Sequence, residues 1–149
     1  MKIVVSIIIP NFNSERTIIS SLTSIKYQTF QSFECIIIDD NSSDNSLNLI
    51  EKFISNDQRF VLIKSRKNNW VSFSRNLGIS HAKGRYLTFL DSDDIWDKGF
   101  LENNLEIRSN KDIPISHSPY IRFKVRKDHL IRGVLVNPPV IINKKIFWK

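Results

Sequence analysis

The sequence predicts an α/β domain in which helices cover both faces of a mostly parallel sheet. Apolar runs of strand length alternate with segments of helical periodicity across residues 3–109. Such an order calls for parallel strands joined by helical crossovers. Polar clusters follow three of the four apolar runs. Because ligands bind outside the carboxyl ends of the strands in sheets of this kind, we expect these clusters to converge on one site.

The first strand and helix are predicted from the start of this alternation. Residues 3–9 are almost wholly β-branched and apolar, as in a strand buried on both faces. Pro10 is expected to end this strand. Ser14 is expected to act as the N-cap of the next helix, because apolar residues then recur at helical spacing across residues 18–25.

Two more apolar runs predict the second and third strands. The run ECIIID (34–39) is a buried strand, and the turn formers of residues 40–46 close it. Apolar residues across 47–54 have the spacing of a second helix, and FVLI (60–63) is the third strand.

The remaining elements are predicted with the same criteria. Residues 72–83 form a helix that Gly84 is expected to stop. YLTFL (86–90) is the fourth strand, and residues 98–109 form another helix. The alternating pattern of residues 114–125 then suggests further strands.

Length and composition are those of one soluble globular domain. The chain has 149 residues, with 41% apolar and 25% charged residues. Its single cysteine, Cys35, lies in an apolar run and is predicted to be a buried small hydrophobe. A single cysteine excludes an internal disulfide, so the chain makes no demand for an oxidising compartment. We therefore expect the protein to be cytoplasmic. The N-terminal apolar stretch is short, is interrupted by Ser6 and lacks a cleavage site, so it predicts a strand rather than a signal peptide.

The net charge of +7 is concentrated at the C-terminal end. Residues 1–110 contain 13 basic and 13 acidic residues, whereas residues 111–149 contain 9 basic and 2 acidic ones. Such a segment can attract nucleic acid, anionic lipid headgroups or an acidic substrate. A solvated basic surface is the plain alternative.

The cluster DSDD (91–94) is the strongest candidate for chemistry. Asp91 and Asp93 leave a predicted strand on a turn and can face the same cleft, where they repel each other unless a cation lies between them. Carboxylate oxygens suit Mg²⁺ or Mn²⁺, which also bind phosphate oxygens. The alternative is an acidic turn that caps the following helix.

Two weaker clusters and one cation complete the candidates. Asp40 follows the second strand and could accept hydrogen bonds from a base or ribose, although turn chemistry explains it equally well. Phe12 could stack on a base, or be a core residue. Arg75 could be a surface cation, or project toward phosphate or an aspartate. A glycine-rich phosphate loop is absent from the sequence, and its three histidines are scattered.

Taken together, these motifs resemble a family of known enzymes. Residues 5–46, from VSIIIPNFNSE to IIIDDNSSDNS, look like the N-terminal half of a family 2 glycosyltransferase with the Rossmann-like GT-A fold. NNWVSFSRNLGISHAKGRYLTFLDSDDIW (68–96) resembles the second signature of that family. The likeness covers residues 3–110, with three motifs in the right order and spacing.

The resemblance implies roles for individual residues. Pro10 and Phe12 would lie against the nucleotide base, Asp40 would bond the base, and Arg75 and Asn76 would line the cleft near the ribose and diphosphate. The implied nucleotide-sugar-binding residues are Pro10, Phe12, Asn13, Glu15, Asp40, Arg75, Asn76 and Asp91.

The resemblance also implies a divalent cation, Mn²⁺ or Mg²⁺, held by Asp91 and Asp93. Asp93 would be its direct ligand, and the cation would neutralise the departing diphosphate.

Two positions depart from the family pattern. Trp70 stands where the family often has glycine beside the donor cleft, so the resemblance does not specify the local backbone or the choice of donor. Asn41 replaces a common glycine in a turn, and asparagine also tolerates left-handed geometry.

The end of the chain departs further. Family members usually continue and supply an acceptor site and an Asp or Glu general base, so we expect a chain truncated at the C-terminus. After Asp112 the sequence contains only one carboxylate, Asp128, in no matching context. The catalytic base is therefore unassigned. We predict a nucleotide-diphosphate-sugar-binding domain at residues 1–110 and a basic, incomplete start of the acceptor-side region at residues 111–149.

Three functional hypotheses follow. The first is a transferase that moves a sugar from a uridine-linked donor to a cell-surface glycan or lipid-linked saccharide, with peripheral contact between residues 111–149 and the anionic inner face of the membrane. The second is a nucleotide-sugar-binding protein without transfer, since a base is missing. The third, nucleic-acid binding, depends only on the basic tail, and we do not expect nucleic acid as a partner.

Overall fold

The computed structural model describes the backbone of residues 2–109, 115–117, 120–126, 129–136 and 140–143, and the side chains of residues 2–106 and Ile141. The predicted alternation of strands and helices as far as the fourth helix is confirmed. The elements are β1 Val5–Asn11, α1 Ile18–Lys26, β2 Phe33–Asp39, α2 Ser46–Ile54, β3 Phe60–Lys64, α3 Trp70–His81, β4 Tyr86–Phe89, α4 Phe100–Ser109, β5 Ile115–His117, β6 Tyr120–Arg126, β7 His129–Val136 and β8 Val140–Asn143.

The main sheet has six strands in the order β3-β2-β1-β4-β8-β5. Strands β1 to β4 are parallel, with Ile9 opposite Ile37, and β8 and β5 extend the sheet in antiparallel pairing. The prediction of a mostly parallel sheet is therefore confirmed. Strands β6 and β7 form a separate antiparallel pair. Although β5 and β8 follow residue 110 and belong to the main sheet, the division of the chain at that residue stays a prediction.

The core lies on both faces of the parallel strands, because alternate residues point to opposite sides. Ile7, Cys35 and Ile37 pack on one face against α1, α2 and α4, whereas Ile8 and Ile36 pack on the other face against α3. Burial raises the pKa of the Cys35 thiol well above its usual range. The thiol is thus an inert core group, as predicted. The described helices are 9 to 12 residues long, and none is long and apolar enough to cross a membrane.

Pro10 does not end the first strand, as the sequence had suggested. Strand β1 continues to Asn11, whose carbonyl accepts the Asp40 N–H at 2.8 Å on the β2 side. The Ile8 carbonyl accepts the Leu90 N–H at 3.1 Å on the opposite side, toward β4. Because peptide groups alternate along a strand, Pro10 faces β4, where the pairing ends at Ile8. Its missing N–H therefore costs the ladder with β2 nothing.

Helix α1 also begins later than predicted. Thr17, not Ser14, is its N-cap, and it makes no side-chain capping hydrogen bond. The Ser14 carbonyl accepts the N–H groups of Thr17 and Ile18 at 3.0 and 2.9 Å and so forms a separate turn before the helix. The Ser14 hydroxyl donates instead to Asn11, which ties this turn to the end of β1.

A charge interaction beside the core gives a pH-dependent prediction. Hydrogen bonds from the Arg59 side chain to the Asp57 carboxylate, 2.9 Å from Nε and 2.6 Å from a terminal nitrogen, lower the pKa of Asp57. A lowered folded-state pKa stabilises the protein above the unfolded pKa of about 4, and this contribution is lost as the pH falls through the folded value. Asp57→Asn is therefore expected to lower the free energy of unfolding by about 1 kcal/mol at neutral pH and by less in acid.

Urea denaturation at neutral pH and at about pH 3, where the unfolded aspartate is protonated, measures this difference. Glu51→Gln is a suitable control, because its pair with Lys64 is half-exposed on both sides. An equal loss of stability at both pH values would show that the packing of Asp57, and not its charge, is what matters.

Candidate active site

The loops after β1, β2 and β4 meet at the carboxyl edge of the sheet, as expected from the parallel topology. They enclose an open cleft of about 380 Å³. The lining residues are Phe12, Asn13, Ser14, Glu15, Arg16 and Thr17 from the first loop, Asp44 from the second, and Ser92 and Asp93 from the third.

A polar network at the ends of β1 and β2 connects the two loops that lead into the cleft. One oxygen of Asp39 accepts hydrogen bonds from the Asn11 amide at 2.7 Å and from the Ser42 hydroxyl at 2.6 Å. The Ser42 hydroxyl in turn accepts the Asn13 N–H at 3.0 Å. Since Asn11 and Asp39 are 1% and 2% exposed, the bond between them is shielded from water, and the network as a whole holds the two loops in one arrangement.

Two predicted site residues, Asn13 and Glu15, extend this network at the surface. The Asn13 side-chain oxygen accepts the N–H groups of Ser43 and Asp44 at 2.8 and 3.3 Å. A Glu15 carboxylate oxygen accepts the Asn45 N–H at 3.0 Å. Partial burial acts to raise the pKa of Asp44, but hydrogen bonds from Ser46 and the Glu15 N–H lower it overall. The side chains of Asn13 and Glu15 thus position the loop after β2. Their contact with a nucleotide sugar stays a prediction.

The Asn13 contact can be tested by substitution. Asn13 has φ 48°, a left-handed conformation that alanine tolerates poorly and glycine adopts freely. Asn13→Ala is expected to lower the free energy of unfolding by about 2 kcal/mol, since it removes the hydrogen bonds that the Asn13 side chain accepts and adds backbone strain. Asn13→Gly, which removes the same bonds without the strain, is expected to cost about 1 kcal/mol. Thermal denaturation of both variants measures the difference, and equal losses would contradict the strain argument.

Asp40 lies at the end of β2 and is 3% exposed. Its two carboxylate oxygens lie 3.0 and 2.9 Å from the Asn69 backbone nitrogen, whose N–H they accept. The loop before α3 is therefore tied to the end of β2. The next residue, Asn41, has φ 65°, the left-handed geometry expected for this turn. A hydrogen bond from Asp40 to a base stays a prediction, which the remaining acceptor capacity of the carboxylate allows.

Arg75 projects from α3 toward the strand ends. A terminal nitrogen of its guanidinium lies 2.6 Å from an Asp91 carboxylate oxygen, and the guanidinium carbon lies 5.8 Å from the centre of the Phe89 ring. This is one of the two outcomes anticipated from the sequence, namely contact with an aspartate. The Arg75 Nε–H is buried and has no hydrogen-bond partner among the described residues. Asn76, the next residue of α3, is exposed.

The carboxylates of Asp91 and Asp93, which follow β4, are suited to a cation that takes its remaining ligands from water and a substrate. Asp93 is exposed and lines the cleft, while Asp91 is exposed and paired with Arg75. Within the described residues, His, Cys, Asp and Glu side chains form no group of three that could hold a metal ion. Mg²⁺ and Mn²⁺ are commonly held by one or two carboxylates, with water and phosphate oxygens completing the coordination. The oxygen ligands present fit this mode of binding.

Phe12 and Pro10 differ in accessibility. Phe12 is 48% exposed at the cleft, which excludes the alternative of a core phenylalanine. Pro10 is buried within β1. Stacking of a base on Phe12 and contact of a base with Pro10 stay predictions.

Sequence reasoning missed Asn11, Asp39 and Ser42 as the residues that organise the cleft. A signal was present, because Asn11 and Asp39 are the first polar residues after apolar runs of adjacent strands. Polar residues there need partners when buried, and parallel strands in register bring them opposite each other. The register that makes them neighbours is a tertiary property.

The fold and this cleft define a class of protein. A sheet with the order β3-β2-β1-β4, acidic residues at its strand ends and an open cleft beside them match the GT-A fold. The family model described as "Glycosyl transferase family 2" matches residues 6–145. The chain belongs to glycosyl transferase family 2.

Relatives with assigned activities support the same family. The chain is 36% identical over 137 residues to the UDP-Glc:α-D-GlcNAc-diphosphoundecaprenol β-1,3-glucosyltransferase WfaP of Escherichia coli, a match that covers 92% of this chain and 53% of the relative. It is 33% identical over 119 residues to the putative teichuronic acid biosynthesis glycosyltransferase TuaG of Bacillus subtilis, covering 80% and 47%. The chain thus spans about half the length of the curated relatives it matches.

Solved structures agree on the fold. The Staphylococcus aureus TarS fragment 1–349 in complex with UDP-GlcNAc matches with a TM-score of 0.71 and 30% identity over 77% of this chain and 33% of that one. The mannosyltransferase PcManGT of Pyrobaculum calidifontis, in complex with GDP-Man and Mn²⁺, matches with a TM-score of 0.70 at 18% identity over 77% of this chain and 35% of that one. The latter likeness shows the fold alone.

Proposed function

We propose that this chain is the donor-binding part of a glycosyltransferase that uses a uridine-diphosphate sugar. The observation that carries the proposal is the cleft at the carboxyl ends of β1, β2 and β4, which Phe12 and Asp93 both line. An aromatic ring suits a base, and a carboxylate suits a cation–diphosphate. The TarS structure with UDP-GlcNAc and the UDP-Glc specificity in the name of WfaP support uridine as the nucleotide.

In this proposal, different residues contact the base, the ribose and the diphosphate of the donor. Pro10 and Phe12 lie against the base, and Asp40 bonds to it. Arg75 and Asn76 face the ribose and diphosphate from α3, while Asn13 and Glu15 hold the loops around them. One terminal nitrogen of Arg75 is paired with Asp91 at 2.6 Å, so a diphosphate would be bound by the other N–H groups of the guanidinium.

Asp93 and Asp91 would hold the divalent cation, Mn²⁺ or Mg²⁺. When bound, the cation would neutralise the negative charge of the diphosphate leaving group. The two carboxylates provide only part of a coordination shell, so cation and donor are expected to bind together rather than one after the other.

In this proposal the acceptor is a saccharide used to build the cell envelope. The relatives' names refer to a diphosphoundecaprenol-linked saccharide and to teichuronic acid. We therefore propose a lipid-linked or cell-surface saccharide acceptor, reached from the cytoplasm at the inner face of the membrane. The basic segment 111–149 would contact anionic lipid there, in line with its excess of positive charge.

Calorimetric titration of UDP into the purified chain, with and without Mn²⁺, tests donor binding. Heat of binding that requires Mn²⁺ is the expected result, and a folded chain that binds UDP under neither condition would refute the proposal.

A second function, donor binding without transfer, is favoured by one feature of the chain. The carboxylates after residue 110, Asp112 and Asp128, lie outside the described residues, and neither has the sequence context of a general base. Incubation with radiolabelled UDP-glucose and a GlcNAc-diphosphopolyprenol acceptor decides between the two functions. Labelled lipid product would exclude the binding-only function, while UDP binding without product would favour it.

A further inference from the structure

An apolar surface lies on the first turn of α3, away from the core. Trp70 is 80% exposed, and Val71 and Phe73 are 47% and 46% exposed. Arg66 and Lys67, in the loop just before them, are also exposed. We call these five residues, Arg66, Lys67, Trp70, Val71 and Phe73, the Trp70 surface. Three large apolar side chains so close together on a solvent-facing turn mark an interaction site.

The backbone at Trp70 indicates that the exposed indole is specifically retained. Trp70 has φ 71°, a conformation that costs a large L-residue on the order of 1–3 kcal/mol and that glycine adopts freely. Its N–H is held by the Asn68 side chain at 3.1 Å, and the neighbouring Asn69 N–H is held by Asp40. A strained backbone position therefore carries the large apolar side chain that is most exposed among residues 2–106. Neither packing nor the local hydrogen bonds require an indole at this point.

The charged residues in the segment that contains the Trp70 surface are all basic. Residues 58–90 contain seven basic residues and no acidic residue. Arg59, Lys64 and Arg75 of this segment are each paired with a carboxylate, whereas Arg66 and Lys67 make no ion pair within the described part of the chain. The exposed apolar turn is thus flanked by cationic groups whose charge is not neutralised by a neighbour. An aromatic ring, other apolar side chains and adjacent basic residues are the combination that binds the interface of an anionic bilayer.

The Trp70 surface lies near the carboxyl edge of the sheet, the edge at which the cleft also opens. The loop that carries it follows the carboxyl end of β3, and Asn69 contacts Asp40 at the carboxyl end of β2. Arg75, one turn further along α3, contacts Asp91 beyond β4. A flat surface that meets Trp70 therefore also approaches the edge of the sheet at which the cleft opens.

We propose that the Trp70 surface is a peripheral docking site for an anionic lipid bilayer. Trp70, Val71 and Phe73 insert at the headgroup level, and Arg66 and Lys67 contact the lipid phosphates. This contact is separate from any made by residues 111–149. Insofar as the proposed function holds, the docking also directs the cleft toward a lipid-linked acceptor, but the membrane contact itself requires no transfer activity.

Co-sedimentation of the full chain with vesicles tests the proposal. The probes are phosphatidylcholine vesicles and vesicles that contain phosphatidylcholine and phosphatidylglycerol. Wild-type protein is expected to sediment with the anionic vesicles and to be released by salt. Trp70→Gly is expected to weaken this partitioning by roughly tenfold or more, since one large apolar side chain is lost from the interface. Arg66→Gln and Lys67→Gln are each expected to weaken it by roughly fivefold.

Tyr27→Ser and Val61→Ser are the matched controls, because these residues are 68% and 40% exposed and lie outside the Trp70 surface. Trp70→Gly also removes strain, so its folding is not expected to suffer, and thermal denaturation verifies this. Phe73→Ser is the second variant, at a position without a positive φ. Failure of the wild type to bind anionic vesicles, or unchanged binding by both Trp70→Gly and Phe73→Ser, would overturn the proposal.

Fluorescence separates this site from the nucleotide cleft. The sequence has three tryptophans, and Trp96 is buried, so a Trp148→Phe background reports chiefly on Trp70. A blue shift on addition of anionic vesicles, unchanged by UDP and Mn²⁺, is expected. If Trp70→Gly weakens UDP binding and leaves vesicle binding intact, the indole serves the nucleotide and the membrane proposal is wrong. If UDP binding fails in the wild type but vesicle binding depends on Trp70, the proposed function fails and the docking site stands.

Discussion

Replacing Asp93 with asparagine is expected to weaken the binding of UDP in the presence of Mn²⁺ by roughly a hundredfold or more. Loss of an outer-shell partner of a metal ligand already costs about 10- to 100-fold, and Asp93 is proposed as a direct ligand. The substitution keeps the size of the side chain and removes its charge. Because Asp93 is exposed and makes no hydrogen bond or ion pair with the described residues, stability should stay within about 0.5 kcal/mol of the wild type. Calorimetric titration of UDP, with and without Mn²⁺, measures the effect.

Asp94→Asn is the matched control for this experiment. It makes the same change of charge one residue away, in an exposed side chain that does not line the cleft. Its UDP affinity is expected to change by less than about threefold, as befits a screened surface charge. Equal effects of the two substitutions would show that the overall negative charge of the turn acts, rather than coordination by Asp93. Retained Mn²⁺-dependent binding in Asp93→Asn would remove Asp93 from the site.

The second large effect concerns the fold that carries the cleft. Gly84→Ala is expected to lower the free energy of unfolding by about 3 kcal/mol, the upper end of the usual cost of overpacking. An added Cβ would lie 2.6 Å from the Ser6 nitrogen and 2.7 Å from the Val5 carbonyl carbon. Both are backbone atoms of the central strand, so they cannot move aside as a side chain could. Urea denaturation measures the loss.

Gly99→Ala is the control for Gly84→Ala. Its added Cβ would meet first the Asn103 side-chain nitrogen, at 3.1 Å, and this flexible group can shift. We expect a change of less than about 1 kcal/mol. A similar loss of stability in both variants would contradict the assignment of the Gly84 effect to contact with β1.

The role of Gly84 illustrates how a correct residue can be chosen for the wrong reason. The sequence predicted it as the stop of the third helix, but α3 ends at His81 with Ala82 as its C-cap. None of the described glycines has a positive φ. Gly84 is required because β1 passes against it, and its N–H donates to the Ser6 hydroxyl at 2.8 Å. Such a contact joins residues far apart in the chain, so local sequence signals do not reveal it.

In the site, too, some features could be predicted from the sequence, whereas others depended on tertiary contacts. Asp93, Phe12 and Arg75 could be selected from the sequence, because polar, aromatic and basic residues at strand ends are expected at the ligand edge of a parallel sheet. The contact of Arg75 with Asp91 and the bonds of Asp40 to Asn69 could not be selected, since they depend on how closely α3 and its preceding loop approach the strand ends. Asn13 and Glu15 line the cleft and their side chains hold the second loop, while their contact with a nucleotide sugar, implied by the family resemblance, stays a prediction.

By itself, the sequence determined the order of strands and helices, the parallel sheet and the edge at which the cleft lies. Hydrophobic periodicity and turn residues carry this information locally, and chain connectivity then restricts the topology. Only the tertiary structure decided that Pro10 stays within β1, that Asn11 and Asp39 form a buried hydrogen bond, and that Trp70 is held exposed in a left-handed conformation. These features depend on strand register and on contacts between distant segments. The free energy of such contacts belongs to the folded chain as a whole, and no short stretch of sequence specifies it.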